Sequence, residues 1–327
     1  MNRTFREQEV TIPARYPLAA TLTLPTSPEG TADAKLPVVV MVHGSGDLDR
    51  DENTKRLRIN AFKELSDAIA PLGFATLRYD KRGVGKSGGS FLEAGFFDLV
   101  DDAEAAARFA RAHPALDPER VLLLGHSEGC MVAPEVHARS PVQGMILLAP
   151  CAEPLADTTA WQREQMYEDL RTLKGFSGWL VRLLKVENKI RKMNDDMIAA
   201  IRGSDAPVVK YKGKKINAKW QREHESFDVR IPLRETSCPV LAIAGDKDVQ
   251  AKPEHAQAVC DLAQGPCESL VIADMTHLLR KTSKELRFSA IFNDYRNQVK
   301  QPIEPELTAA VARWLVAWRN EARQDKS

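Results

Sequence analysis

Apolar residues fall along this chain in a repeating order. Two short runs, Glu9–Ile12 and Ala19–Leu24, alternate or are β-branched and are punctuated by Pro13, Pro17 and Pro25, which predicts an antiparallel pair at a sheet edge. Leu36–Val42 is a continuous apolar run of the kind buried on both faces of a sheet, and it ends at His43-Gly44-Ser45-Gly46. Phe74–Tyr79, Val121–Leu124, Met145–Leu148, Val240–Ala244 and Leu270–Ile272 read as further strands. Between them lie stretches with helical features: Thr54–Ala70, Phe97–His113 (acidic at its start, basic at its end), Gly129–Ala138, Pro253–Ala263, and an amphipathic Glu304–Arg323. Strands alternating with helices predict an α/β protein with a mostly parallel central sheet and helices on both faces.

The rhythm breaks between Cys151 and Ser237. That segment has no strong strand signal and is rich in Arg, Lys, Glu and Trp. Trp179, Leu180, Leu183, Leu184 and Val186 have helical spacing, and Lys210–Lys219 reads as a basic loop. The chain therefore divides into a core of residues 1–150 and 238–327 and a helical cap inserted at 151–237.

Composition narrows the field. The 327 residues are 43% hydrophobic and 28% charged, with a formal net charge of +1. That is ordinary globular composition, and no bulk charge favours nucleic acid or an acidic membrane surface. No run has the length of a membrane span, and Met1–Glu7 lacks the apolar centre of a signal peptide. Five scattered cysteines fit a reduced, cytoplasmic protein better than a disulfide framework, and the nearness of Cys260 to Cys267 does not by itself pair them. No His/Cys cluster has zinc spacing.

The chemistry is concentrated at Gly125-His126-Ser127-Glu128-Gly129. G-x-S-x-G alone is a weak signal. Here an apolar strand enters it and a small-residue helix leaves it, the setting that forces a serine onto an exposed turn. A nucleophilic serine needs a base, and the base needs an orienting acid. Later strand ends supply both: Gly245-Asp246-Lys247-Asp248 follows one, and Asp274-Met275-Thr276-His277 follows the next. Ser127, an aspartate and His277 thus stand in that order at carboxyl ends of strands, with Asp246 and Asp248 both open as the acid. The backbone N–H of Glu128 and, after the first buried strand, that of Ser45 are the expected oxyanion donors.

Taken together these residues resemble an α/β-hydrolase, and more narrowly the bacterial carboxylesterases related to acyl-peptidase-like serine hydrolases. The narrower match rests on His43–Gly46 with Asp49-Arg50-Asp51-Glu52, on Tyr79–Ser87, on Gly125–Gly129 with glutamate after the serine, and on Gly245–Gln250. The resemblance implies the α/β-hydrolase fold and hydrolysis of short- to medium-chain acyl esters without a cofactor. It also implies Ser127 as nucleophile, His277 as base and, by the G-x-x-D spacing of the acid loop, Asp248 as acid, with Asp246 capping the turn. Cys130 departs from the pattern, standing where these enzymes usually carry a second glycine.

Other features read as structural. His43 and His126 are expected to fix loops through hydrogen bonds, and Cys130 to be a small packed side chain. Gly85-Lys86-Ser87 imitates the end of a phosphate loop, but Asp80 stands where its first glycine belongs. Asp47–Asp51 begins like a calcium loop, but Glu52 and Arg58 occupy its glycine and glutamate positions, so the carboxylates are expected to pair with Arg50, Lys55 or Arg56. The sequence reading is a serine carboxylesterase acting on a small-molecule ester, with Trp161 and Trp179 of the cap shaping the acyl pocket. An aminopeptidase, a thioesterase and a non-catalytic ligand-binding protein are the alternatives. The insertion serves equally as a simple cap or as a homo-oligomer contact.

Overall fold

The computed structural model describes residues 5–26 and 35–324. Residues 1–4, part of the stretch read above for a signal peptide, lie outside them. In chain order the elements are β1 Phe5–Ile12, β2 Leu18–Pro25, β3 Leu36–Val42, α1 Ala61–Ile69, β4 Ala75–Tyr79, α2 Phe96–Ala112, β5 Leu116–His126, α3 Gly129–Arg139 and β6 Gly144–Leu148. Then follow α4 Leu155–Thr172, α5 Gly175–Leu183, α6 Val186–Arg202, β7 Val208–Tyr211, β8 Lys214–Asn217, α7 Ala218–Ser226 and α8 Arg230–Arg234. The chain closes with β9 Val240–Gly245, α9 His255–Leu262, β10 Cys267–Ile272, α10 Phe288–Gln298 and α11 Pro305–Gln324.

Eight strands form one sheet in the order β1-β2-β4-β3-β5-β6-β9-β10. β1 pairs antiparallel with β2, and β2 with β4; every other neighbour is parallel. The short alternating runs are thus the antiparallel edge, and the apolar runs are the parallel centre. Alternation along the central strands splits their side chains between two cores. Val38, Val40, Val42, Val121 and Leu123 join one core with Ala103, Ala106, Val132 and Val136 of α2 and α3. Val39, Met41, Leu122 and Leu124 join the other with Phe62 and Leu65 of α1 and with Trp314, Leu315 and Trp318 of α11. Each such side chain contributes about 2 kcal/mol on leaving water, which is why these strands carry no polar face.

Four local expectations are corrected. α1 begins at Ala61, not near Thr54. Thr54 Oγ1 accepts the N–H groups of Arg56 and Leu57, and Asn53 Oδ1 accepts the N–H of Asn60, so side chains hold 53–60 in turns that compete with a helix. Lys210–Lys219 is not a loop: most of it is the hairpin β7–β8, turning at Lys212-Gly213 with φ of 45° and 80°. Cys260 and Cys267 are joined in a disulfide between α9 and β10, while Cys130, Cys151 and Cys238 are free and buried, so the all-reduced reading holds for three of the five. The acidic loop does not pair as expected: Arg50 bonds Asp80 and Glu9, Asp51 bonds Arg78, and Asp49 Oδ1 caps the N–H groups of Asp51 and Asn53.

Candidate active site

Ser127 stands between β5 and α3 with φ 53°, a left-handed conformation that a non-glycine residue adopts only under constraint. Its N–H donates to the Leu148 carbonyl (2.9 Å) and its carbonyl accepts from Cys130 N–H (2.9 Å). The flanking glycines are needed for close approach. A Cβ on Gly125 would lie 2.4 Å from the Gly129 carbonyl oxygen, and one on Gly129 would lie 2.1 Å from that of Val42.

Three loops at the carboxyl ends of β5, β9 and β10 bring Ser127, Asp248 and His277 together. His277 Nε2 is 3.0 Å from Ser127 Oγ, and His277 Nδ1 is 2.7 Å from Asp248 Oδ2. The other oxygen of Asp248 accepts the N–H groups of Gln250 (2.7 Å) and Ala251 (2.9 Å). Asp246 does not face His277; its Oδ1 accepts the Asp274 N–H at 2.6 Å, fastening the acid loop to the histidine loop. Arg280, fully buried, holds that histidine loop by donating to the carbonyls of Ile59, Leu278 and Gln301 and to Glu64. His277 and Asp248 are buried and Ser127 is half-buried. The chain of hydrogen bonds can move a proton from a serine hydroxyl onto an imidazole whose far nitrogen is held by a carboxylate.

Ser45 is exposed in the loop after β3. The N–H of neighbouring Gly44 already donates to Glu52 Oε1 (2.8 Å), which takes it out of use as a donor to a ligand. Glu128 precedes the first turn of α3, where backbone N–H groups lie outside the helix's own ladder. A cleft of about 1000 Å³ opens beside this loop, bordered by Asp47, Asn53, Lys55, Phe91 and Leu92.

The side chain of Glu128 has a role that sequence reasoning missed. It is buried, with Oε2 3.0 Å from Lys81 Nζ and Oε1 accepting from Trp220 Nε1 (2.5 Å) and lying 2.8 Å from His224 Nε2. Lys81 also donates to the Gly44 carbonyl at 2.5 Å. Burial raises the Glu128 pKa, but Lys81 and His224 outweigh it and hold the carboxyl well below the usual range. Trp220 and His224 lie four residues apart on α7, so one helix face carries both donors. That spacing was the available signal. Trp179, expected in the acyl pocket, is 52% exposed on α5 and stacks on Phe176, so the tryptophan that reaches the elbow from this segment is Trp220.

The remaining singled-out residues divide. Cys130 is buried, donates to the Gly125 and Leu148 carbonyls, and has its thiol pKa pushed well up by burial, as a packed and unreactive side chain. His43 is buried between the rings of Phe62 and Tyr79; its hydrogen-bonding neighbour among the described residues is the Tyr79 backbone, in a contact too poorly aligned to count as a good hydrogen bond. Lys86 and Ser87 form no phosphate loop: the Lys86 N–H donates to the Asp80 carboxylate and the Ser87 hydroxyl to the Asp80 backbone carbonyl.

The chain resembles proteins whose names speak of hydrolysis. It is 26% identical over 317 residues to Esterase EstD of Thermotoga maritima, covering 96% of this chain and 68% of that one. Solved structures share the fold. Est1E of Butyrivibrio proteoclasticus, with ferulic acid bound, aligns with a TM-score of 0.56 at 19% identity over 89% of this chain and 100% of that one. The Pyrococcus furiosus esterase Pf2001 aligns with a TM-score of 0.57 at 15% identity over 97% and 92%. A family model described as serine aminopeptidase, S33, matches residues 34–281, well over half of the sequence and all three loops that meet at Ser127. The chain belongs to that Hydrolase_4 family of α/β-hydrolases.

Proposed function

We propose that this chain is a serine carboxylesterase that cleaves esters of short to medium acyl chains through an acyl-enzyme. The observation that carries the reading is the hydrogen-bonded series Ser127–His277–Asp248, at 3.0 and 2.7 Å. Ser127 Oγ attacks the acyl carbonyl while His277 takes its proton. Asp248 keeps the His277 Nδ1–H in place and stabilises the imidazolium that forms. The N–H groups of Ser45 and Glu128 receive the oxyanion. His277 returns the proton to the departing alkoxide, and the acyl group stays on Ser127. Water, deprotonated by His277, then attacks the acyl-enzyme, and the acid leaves as Ser127 regains its proton. None of these steps calls for a cofactor.

Residues 151–237 act in this reading as a cap on a core of 1–150 and 238–327. Its α7 reaches the elbow through Trp220 and His224. The name of the Thermotoga relative supports the ester substrate, while the family description leaves a peptide bond as the competitor. Hydrolysis of p-nitrophenyl esters from acetate to laurate, run beside aminoacyl p-nitroanilides, tests the proposal on wild type and Ser127→Ala. Ester turnover lost in Ser127→Ala is the expected outcome. Faster anilide than ester turnover makes the chain an aminopeptidase, and equal ester rates in both proteins remove Ser127 from the mechanism.

A further inference from the structure

Beside the triad lies a second carboxylate and histidine that the reaction does not consume. Glu52, at the end of the acidic loop, is buried and has φ 64°, so its backbone is held in a conformation uncommon for glutamate. Its Oε1 accepts the Gly44 N–H at 2.8 Å. Its Oε2 lies 2.7 Å from His126 Nδ1, close enough for an ion pair though off the line of a good hydrogen bond. On the other side of the ring, His126 Nε2 is 3.0 Å from the backbone carbonyl of His277. The rings of His126 and His277 are 5.1 Å apart. A Cβ on Gly44 would lie 3.2 Å from Ser127 Cβ and 3.5 Å from His126 Nδ1, so Gly44 packs closely against both the elbow serine and this pair.

Both nitrogens of His126 face oxygen acceptors. A carboxylate and a carbonyl have no proton to give, so either neutral tautomer would set a nitrogen lone pair against an oxygen. With Glu52 ionised, as its neighbours favour, the ring satisfies both acceptors only with a proton on each nitrogen; the other arrangement, a protonated Glu52 beside a neutral ring, is one that a nitrogen spectrum of His126 would reveal. We propose that Glu52 and His126 are a buried carboxylate–imidazolium pair that positions the triad, holding the Gly44 N–H at one end and the His277 carbonyl at the other. The positioning role rests on the reading of Ser127 and His277 as the reacting pair; the charge state of the ring does not.

The surroundings agree with that charge. Burial lowers the His126 pKa, but Glu52, the His277 carbonyl and Asp248 together carry it above the ordinary value; burial raises that of Glu52, but His126, the Gly44 N–H and His43 together lower it. From the other elements, His43 and Arg280 also face Glu52, and Arg280 is itself paired with Glu64. The pair is net neutral, so it fixes His277 without adding a charge that would oppose its protonation during the reaction. It also occupies the Gly44 N–H, which takes that donor out of use for the oxyanion. A loop and a base set from one residue couple two distances on which the rate depends steeply.

The test reads the ring directly. Long-range 1H–15N correlation on 15N-histidine-labelled protein, with His126→Gln assigning the signal, is expected to show both His126 nitrogens protonated at pH 7.5. A neutral tautomer there overturns the proposal. Kinetics then separate positioning from mere packing. His126→Gln and Glu52→Ala are expected to lower kcat for p-nitrophenyl butyrate by about 100-fold with little change in KM. Glu52→Gln is expected to recover most of that loss. Its Oε1 still accepts from Gly44, and its amide donates to a His126 ring that has become a neutral tautomer. A kcat for folded His126→Gln within about twofold of wild type also overturns the positioning role. Wild type inactive on every ester would fail the proposed function instead, and the His126 spectrum would still decide whether the pair exists.

Discussion

The indole N–H of Trp220 donates to Glu128 Oε1 at 2.5 Å, joining helix α7 to the residue that follows Ser127. The other oxygen of Glu128 faces Lys81, which also holds the Gly44 carbonyl, so one buried carboxylate links the elbow, the loop after β3 and the α4–α8 segment. Removing one partner of a buried ion pair leaves the other charge uncompensated, a loss of about 3–5 kcal/mol. Glu128→Gln is therefore expected to lower unfolding stability by that order in urea titration. Trp220→Phe removes only one hydrogen bond to a charged group and is expected to cost about 1.5–3 kcal/mol. Equal stability of wild type and Glu128→Gln would mean that the carboxylate is solvated or protonated in solution.

The two aspartates of the acid loop make opposite predictions. Asp248→Asn turns an acceptor-only group into one that can present N–H to His277 Nδ1, favouring the wrong tautomer. By the tautomer argument kcat on p-nitrophenyl esters is expected to fall about 10⁴-fold. Asp246→Asn keeps a carbonyl oxygen for the Asp274 N–H and is expected to leave kcat within about threefold. The reverse ranking would reassign the acid.

These roles differ in how far the sequence revealed them. The antiparallel edge, the parallel centre and the standing of Ser127, Asp248 and His277 at strand ends were legible because each depends on local pattern: an apolar run, then a turn with the right residue at a strand end. The α1 boundary was not. Thr54, Asn53 and Asn60 hold 53–60 by side-chain bonds whose partners are fixed only once the loop has closed. The bonds from Trp220 and His224 to Glu128 cross more than ninety residues, and periodicity within α7 shows a shared face without showing what it meets. Asp80 is the reverse case. It spoils the phosphate-loop pattern, and the fold uses it to hold Arg50, Lys86 and Ser87.

His43 predicts a pH dependence of stability. Its pKa falls from 6.5 to about 4, chiefly through burial and secondly through Lys81. The folded state therefore holds the ring neutral, while the unfolded chain binds a proton once the pH drops below about 6.5. The contribution is complete above pH 6.5 and is lost progressively as the pH falls towards 4. It amounts to about 3 kcal/mol over that window. His43→Gln is expected to be less stable than wild type at pH 7.5 but to show a flatter decline from 6.5 to 4, read by urea midpoints at constant m. Parallel declines in the two proteins would show that His43 titrates normally in the fold.

The Cys260–Cys267 disulfide predicts a thiol count and a stability change. The bridge ties the end of α9 to the start of β10, seven residues on. A loop this short restricts the unfolded chain only modestly, and the chain-entropy relation gives about 2.5 kcal/mol. Denatured without reductant, the protein is expected to yield three thiols to an aromatic disulfide reagent, from Cys130, Cys151 and Cys238. After reduction it should yield all five. Native protein is expected to react slowly, because those three side chains are buried and their thiol pKa values are raised, that of Cys238 to about 12. Cys260→Ser with Cys267→Ser should lower stability by about 2.5 kcal/mol without altering kcat, since the bridge lies on the β10 edge of the sheet and bonds none of the three loops at Ser127. Five thiols in the unreduced, denatured protein would instead mean that the pair stands reduced and the β10 edge is held by its ladder with β9 alone.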